Sequence, residues 1–176
     1  MDSSLTPHGL IGEAYRPPKI GGKGAVVANH TMASQAGMRI LHQGGNAVDA
    51  AVAVAFALGA AEPQGSSIGG DGFVMVHMAA NKTVEVANGT GAAPLSATSE
   101  KYPDGIPYTG ILGTSVPGIV DALLSAHERY GTMTLAQCLD PSIELCEDGV
   151  PVSDFQSRMA AQNPVLRSSS TSGPIF

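Results

Sequence analysis

No tryptophan occurs in the chain, and aromatic residues make up only 5% of it. Large flat side chains therefore do not fill the core. The 22 glycines, with abundant alanine, let helices and strands approach closely instead. Charge is sparse at 14%, with no long block of one sign and no basic cluster. The formal net charge is −6. The electrostatic footprint of a nucleic-acid binder is absent. Two cysteines, Cys138 and Cys146, suggest neither a disulfide framework nor a metal site. They read as packing residues on successive short helices. The N-terminal MDSSLTPHGLIGEAYRPP has no apolar core of the kind a secretory signal needs. A cytoplasmic location is the resulting expectation. The most apolar stretch, GGNAVDAAVAVAFALG, has about 15 residues after Asn46, against the roughly 20 of a spanning helix, and carries Asp49. It is read as a buried helix, not a membrane span.

The 176 residues suffice for one domain with a real core. Residues 1–22 read as an N-terminal arm, and residues 23–176 as the folded region. Gly24–Asn29 is a short apolar run, expected as a strand. Thr31 is placed to cap a helix with Ala33, Ala36, Ile40 and Leu41 on one face, ending at Gly44-Gly45. Asn46 caps the next helix, and Asp49 in its first turn suits the positive end of the dipole. That helix is apolar all round from Ala50 to Ala61, so it should be covered on every side. Pro63 ends it. Phe73–Met78 and Thr83–Ala87 read as a hairpin across Asn81-Lys82. Asn88–Gly91 is a loop, and 92–112 is irregular. Pro117 opens a helix that closes at Gly131. Thr134 and Gln137 form a capping box. Asp140-Pro141 restarts a helix that ends at Gly149, and 163–176 reads as loop. The order suggests an α+β or layered α/β domain with helices on a largely antiparallel sheet.

The residues alone complete no catalytic set. The glycines at 21–24 and 69–72 lead into strands, whereas a dinucleotide loop follows a strand and opens a helix. The five histidines show no metal-ligand spacing, so no metal and no cofactor are expected. His77 reads as a packing or surface residue, and His127 as a surface residue at a helix end. Ser66-Ser67 lacks the nucleophile-elbow pattern and reads as a tight loop. Asp49 could be a buried acid, but stabilisation of a helix N-terminus explains it.

The order of motifs is more specific. HTMASQAGMRILHQGGNAVDAAVAVAFALGAAEPQGSSIGGDGFVMVH, NGTGAAPLSAT, TSVPGIVDALLSAHERYGTM and IELCEDGVPVS follow one another. This order closely resembles the gamma-glutamyltransferase (gamma-glutamyltranspeptidase) family from about Gly24 to Asp154. The resemblance implies an α+β fold of the N-terminal nucleophile hydrolase type, an αββα sandwich of which this chain would be an incomplete N-terminal part. It implies a self-cleaving precursor whose C-terminal small subunit is the partner. The nucleophile would be the Thr that opens that subunit, beyond residue 176, with its own amine as base. No catalytic residue is carried onto this chain. The expected substrate is a small-molecule amide or γ-glutamyl compound, with no nucleic acid and no membrane involved.

One position departs from the family pattern. Its γ-glutamyl enzymes carry an Arg in the loop after the second strand, which clamps the substrate α-carboxylate. Alignment on Ala93-Pro94 puts Thr90 there, as the substrate-binding residue. A hydroxyl cannot supply a bidentate cationic fork. Amide hydrolysis of the oxamate amidohydrolase or cephalosporin acylase kind is thereby favoured over transpeptidation. The alternative is a non-catalytic binding or scaffolding domain.

Overall fold

The computed structural model describes residues 20–108 and 110–175. The expected arm, residues 1–22, lies almost wholly outside the described residues. Among the described residues, six α-helices and one hairpin follow in the order α1 (Thr31–His42), α2 (Ala47–Ala61), β1 (Gly72–Met78), β2 (Thr83–Gly89), α3 (Ile119–Tyr130), α4 (Leu135–Asp148), α5 (Asp154–Gln162) and α6 (Pro164–Ser168), with single 3-10 turns at Ser99–Lys101 and Ile111–Gly113. Among the described residues no helix is long and apolar enough to cross a membrane.

Helix α2 is the centre. It packs against α1, α4 and α3. Its start is fixed by Asn46, whose Oδ1 accepts from the N–H groups of Val48 and Asp49, while Asp49 Oδ2 accepts from Asn46 N–H. That reciprocal pair satisfies three of the helix's free donors. Small side chains then bring the helices together. A Cβ at Gly37 on α1 would come within 2.6 Å of Val54 and 2.9 Å of Val26, so only glycine permits this approach. Ala33, Ala36 and Ala57 form one buried cluster, Ile40, Ala50 and Ala53 a second, and Val52, Leu123 and Cys138 a third. Full burial of a side chain such as Val52 contributes about 1.5–3 kcal/mol. Coverage is nevertheless incomplete. Ala51 is exposed, and Val54, Ala55, Phe56 and Leu58 are half-buried.

The hairpin is antiparallel, with Met75 opposite Val86 and Val76 opposite Glu85. Its alternation gives two faces. Val74, Val76, Glu85 and Ala87 turn inward, and α3 packs on the hairpin. Phe73, Met75, His77, Val84 and Val86 form the outer face and are exposed.

Several boundaries differ from the sequence reading. Gly24–Asn29 forms no strand among the described residues; Val26 and Ala28 dock on the helices instead. The cap of α1 is His30, whose Nδ1 accepts from Met32 N–H, and Thr31 is the first helical residue. Helix α3 begins after Gly118, two residues beyond Pro117. Helix α4 runs unbroken through Pro141. Proline there withholds one N–H, and the burial of its ring offsets that loss. Cys138 and Cys146 thus share one helix, and only Cys138 is buried. Helix α5 forms between Gly149 and the expected loop, with Ser153–Gln156 as a third capping box, and helix α6 occupies part of the expected loop 163–176, with Pro164 at its first turn.

Candidate functional site

Three loops meet where the hairpin ends. Asn88 Oδ1 accepts from Thr90 N–H at 2.9 Å and from Thr90 Oγ1 at 2.6 Å. This is an Asx turn, which a short amide side chain forms with the backbone two residues on. Gly91 N–H then donates to Asp71 Oδ1 at 2.9 Å, and Ser115 Oγ donates to Asp71 Oδ2 at 2.6 Å. Gly70 O accepts from the N–H groups of Gly118 and Ile119, and Ala92 O accepts from Val116 N–H. Residues 69–72, 88–92 and 115–119 are therefore laced together by backbone and one carboxylate. The crossing leaves no room for a side chain at Gly89. A Cβ there would lie 2.8 Å from both Ala122 and the Gly118 carbonyl.

Thr90 is exposed on this junction. Its hydroxyl donates to Asn88 and offers neutral lone pairs outward. Asn88 itself shares the outer face with Phe73, its cross-strand partner. Thr90 thus sits at the end of the exposed apolar face. A cleft of about 430 Å³ shares Asp71 with this junction, and its lining also includes Phe56, Leu58, Ser66, Ile68 and Leu123. Ser67 Oγ accepts from Gly69 N–H at 3.0 Å, so this serine shapes the turn. Asp71 is the anchor that sequence reasoning missed. Asp71→Ala is expected to free the Gly91 amide and speed its hydrogen exchange about tenfold, a local loss of about 1.4 kcal/mol. Unchanged exchange at Gly91 would show that the loop holds without the carboxylate.

A second polar centre lies inside the helices. Asp49 is completely buried. Its carboxylate accepts from Asn46 N–H, Thr132 N–H, Thr132 Oγ1 and Met133 N–H, the hydroxyl bond being 2.7 Å. Burial pushes its pKa up. The Thr132 hydroxyl and the three backbone N–H groups more than offset this, and the carboxyl ends below its ordinary value. His127 Nε2 stands 3.5 Å from Asp49 Oδ1, and the His127 side chain is only 13% exposed. It is not the surface residue its place at a helix end suggests. Cys138 Sγ lies 3.7 Å from the same nitrogen. Burial and the Asp49 charge push the Cys138 thiol up to about 11. Asp49, His127 and Cys138 come from α2, α3 and α4, so no local spacing could show that they meet. His77, by contrast, stands exposed on the outer face of β1.

The sequence model of gamma-glutamyltranspeptidase matches residues 33–176. The chain belongs to the gamma-glutamyltranspeptidase family. It is 37% identical over 182 residues to the glutathione hydrolase proenzyme of Bacillus subtilis (strain 168), covering 88% of this chain and 31% of that protein. It is likewise 37% identical over 161 residues to the acylase ACY 1 proenzyme of Pseudomonas sp. (strain SE83), covering 84% of this chain and 29% of that one. The chain thus spans about a third of the length of these curated relatives. The crystal structure of Helicobacter pylori gamma-glutamyltranspeptidase superposes with a TM-score of 0.84 at 33% identity, over 91% of this chain and 48% of that one. Helices and hairpin together are therefore a partial α+β domain of the gamma-glutamyltranspeptidase, N-terminal nucleophile hydrolase fold.

Proposed function

We propose that this chain is the front part of the larger subunit of a self-processing amide hydrolase. The family match over residues 33–176 carries the proposal. Relatives that are glutathione hydrolase and acylase proenzymes support it. The nucleophile in this reading is a Thr freed by cleavage at the start of a small subunit. Its α-amine takes the hydroxyl proton as Oγ attacks the amide carbonyl, and passes that proton to the leaving amine. Water then attacks the acyl ester, restoring the hydroxyl and releasing the acid. The junction at Thr90 holds the far end of the substrate. With a neutral hydroxyl there, water as acceptor and substrates without an amino-acid head are favoured.

The outer hairpin face fits the same reading. Phe73 is 64% and Met75 71% exposed, and Val84 and Val86 extend the patch. Apolar surface gathered in this way marks an interaction site. The small subunit is its proposed occupant. The test is the full-length precursor, incubated and followed by mass spectrometry and N-terminal sequencing. Two chains are expected, the smaller opening with Thr, and alanine at that Thr should block both cleavage and amide turnover. Residues 1–176 alone should bind a hydrophobic dye and turn over no γ-glutamyl or simple amide substrate. Turnover by the rigorously purified fragment would refute a nucleophile outside it.

A further inference from the structure

We infer that Asp49 Oδ1, His127 Nε2 and Cys138 Sγ form a three-ligand site for a divalent cation of the zinc class. The inference does not rest on the amide-hydrolase reading. The three atoms come from three helices and are the cluster of potential ligands found among the described residues. Their separations are 3.5 Å for Asp49 to His127, 3.7 Å for His127 to Cys138 and 4.0 Å for Cys138 to Asp49. A point about 2.2 Å from all three atoms exists in that triangle, within the 2.0–2.3 Å range of zinc bonds to nitrogen, oxygen and sulfur. The one nitrogen–oxygen distance, 3.5 Å, exceeds the roughly 2.7–3.2 Å of a good hydrogen bond, and the thiol makes only long contacts, 3.7 Å to His127 Nε2 and 4.0 Å to Asp49 Oδ1.

The donor set selects the metal. One imidazole, one thiolate and one carboxylate suit zinc or cobalt, whereas magnesium and calcium take oxygen. The surroundings hold the carboxylate in place. Asp49 Oδ2 accepts from Asn46 N–H and the Thr132 hydroxyl, and Oδ1 also accepts from the N–H groups of Thr132 and Met133. Such outer bonds orient a metal-bound carboxylate. Charge also balances. A carboxylate, a thiolate and a neutral imidazole cancel a dication, so the buried site is neutral when filled. Filling it breaks the Cys138 S–H bond, forms the S–metal bond, and releases one proton to solvent. His127, the partly exposed member, is the side from which the ion enters, and water completes a fourth position there. The bound ion would clamp the start of α2 to the end of α3 and the first turn of α4.

The test uses the full chain carrying Cys146→Ser, stripped with a chelator and titrated with cobalt(II) and then zinc(II). The expected result is a thiolate-to-cobalt charge-transfer band in the near ultraviolet at one ion per chain, bleached by zinc. One proton should be released per ion, and zinc should raise the melting temperature. Adding Cys138→Ser should abolish the band, and His127→Gln should weaken zinc binding at least tenfold. The Cys146→Ser protein decides the matter even if these further variants fold poorly. Absence of the band, with a melting temperature unmoved by excess zinc, overturns the site. So does a band that survives Cys138→Ser.

Discussion

Asp49→Ala costs the metal-free chain about 3–5 kcal/mol, a large part of the 5–15 kcal/mol that holds a domain folded. The substitution removes no large apolar contact. It strands the donors that the carboxylate satisfies, namely the N–H groups of Asn46, Thr132 and Met133 and the Thr132 hydroxyl. Each buried donor left without a partner costs about 1–3 kcal/mol. It also undoes the reciprocal cap of α2, the helix on which α1, α3 and α4 all pack. The effect depends on pH in a defined direction. The folded carboxyl has a lowered pKa, so its ion stabilises the fold fully above the unfolded value of about 3.9. That contribution fades as pH falls through the folded value. Urea unfolding at pH 7 and at pH 3 should therefore show a large gap between wild type and Asp49→Ala at pH 7 and a smaller one at pH 3. A loss below about 1 kcal/mol at pH 7 would show that the loop at Thr132 finds other acceptors.

The same residue marks how far the sequence could be read. That Asn46 and Asp49 open a helix is a local fact, written within four positions, and the structure bears it out. Thr134 with Gln137 is legible for the same reason, as is the hairpin, whose alternation needs only its own residues. Ser153 and Gln156 carry the same capping signal. They went unread because α5 buries nothing and so shows no apolar stripe. Gly24–Asn29 failed differently. An apolar run reports burial, not pairing, and a segment docked on helices looks like a strand. Pro141 misled because a local rule was set against burial in the packed helix, and burial won.

The two candidate centres divide in the same way. The turn at Asn88–Gly91 is written in Asn-Gly-Thr, but its anchor Asp71 lies 20 positions away. His127 and Cys138 reach Asp49 only through the packing of α2, α3 and α4. Asp49 did carry a visible hint, as the single charge in an otherwise apolar helix. A lone buried charge must find partners, and periodicity cannot name them. Thr90 acquires meaning only beside the family pattern, since nothing in its own chemistry distinguishes it from any loop threonine.

Thr90→Arg in the mature two-chain enzyme should shift preference toward γ-glutamyl substrates by about ten- to a hundred-fold. The argument starts from the position. Thr90 is exposed, follows a buried glycine, and is held by its own N–H to Asn88, a bond that an arginine backbone keeps. The turn should therefore survive while the longer side chain extends outward. A guanidinium offers a substrate carboxylate two parallel charge-assisted bonds, which a hydroxyl cannot. One such bond contributes roughly 1.5–3 kcal/mol, and every 1.4 kcal/mol is tenfold in binding. The assay compares hydrolysis of a γ-glutamyl anilide with that of a short amide such as oxamate. Wild type should favour the short amide, and Thr90→Arg should lower KM for the anilide. Thr90→Ala serves as the control, because it removes the hydroxyl without adding charge and should leave the anilide reaction nearly unchanged. If wild type already prefers the γ-glutamyl substrate and Thr90→Arg leaves that preference alone, then Thr90 only closes a turn. The carboxylate would in that case be held by a cation from elsewhere in the assembled enzyme.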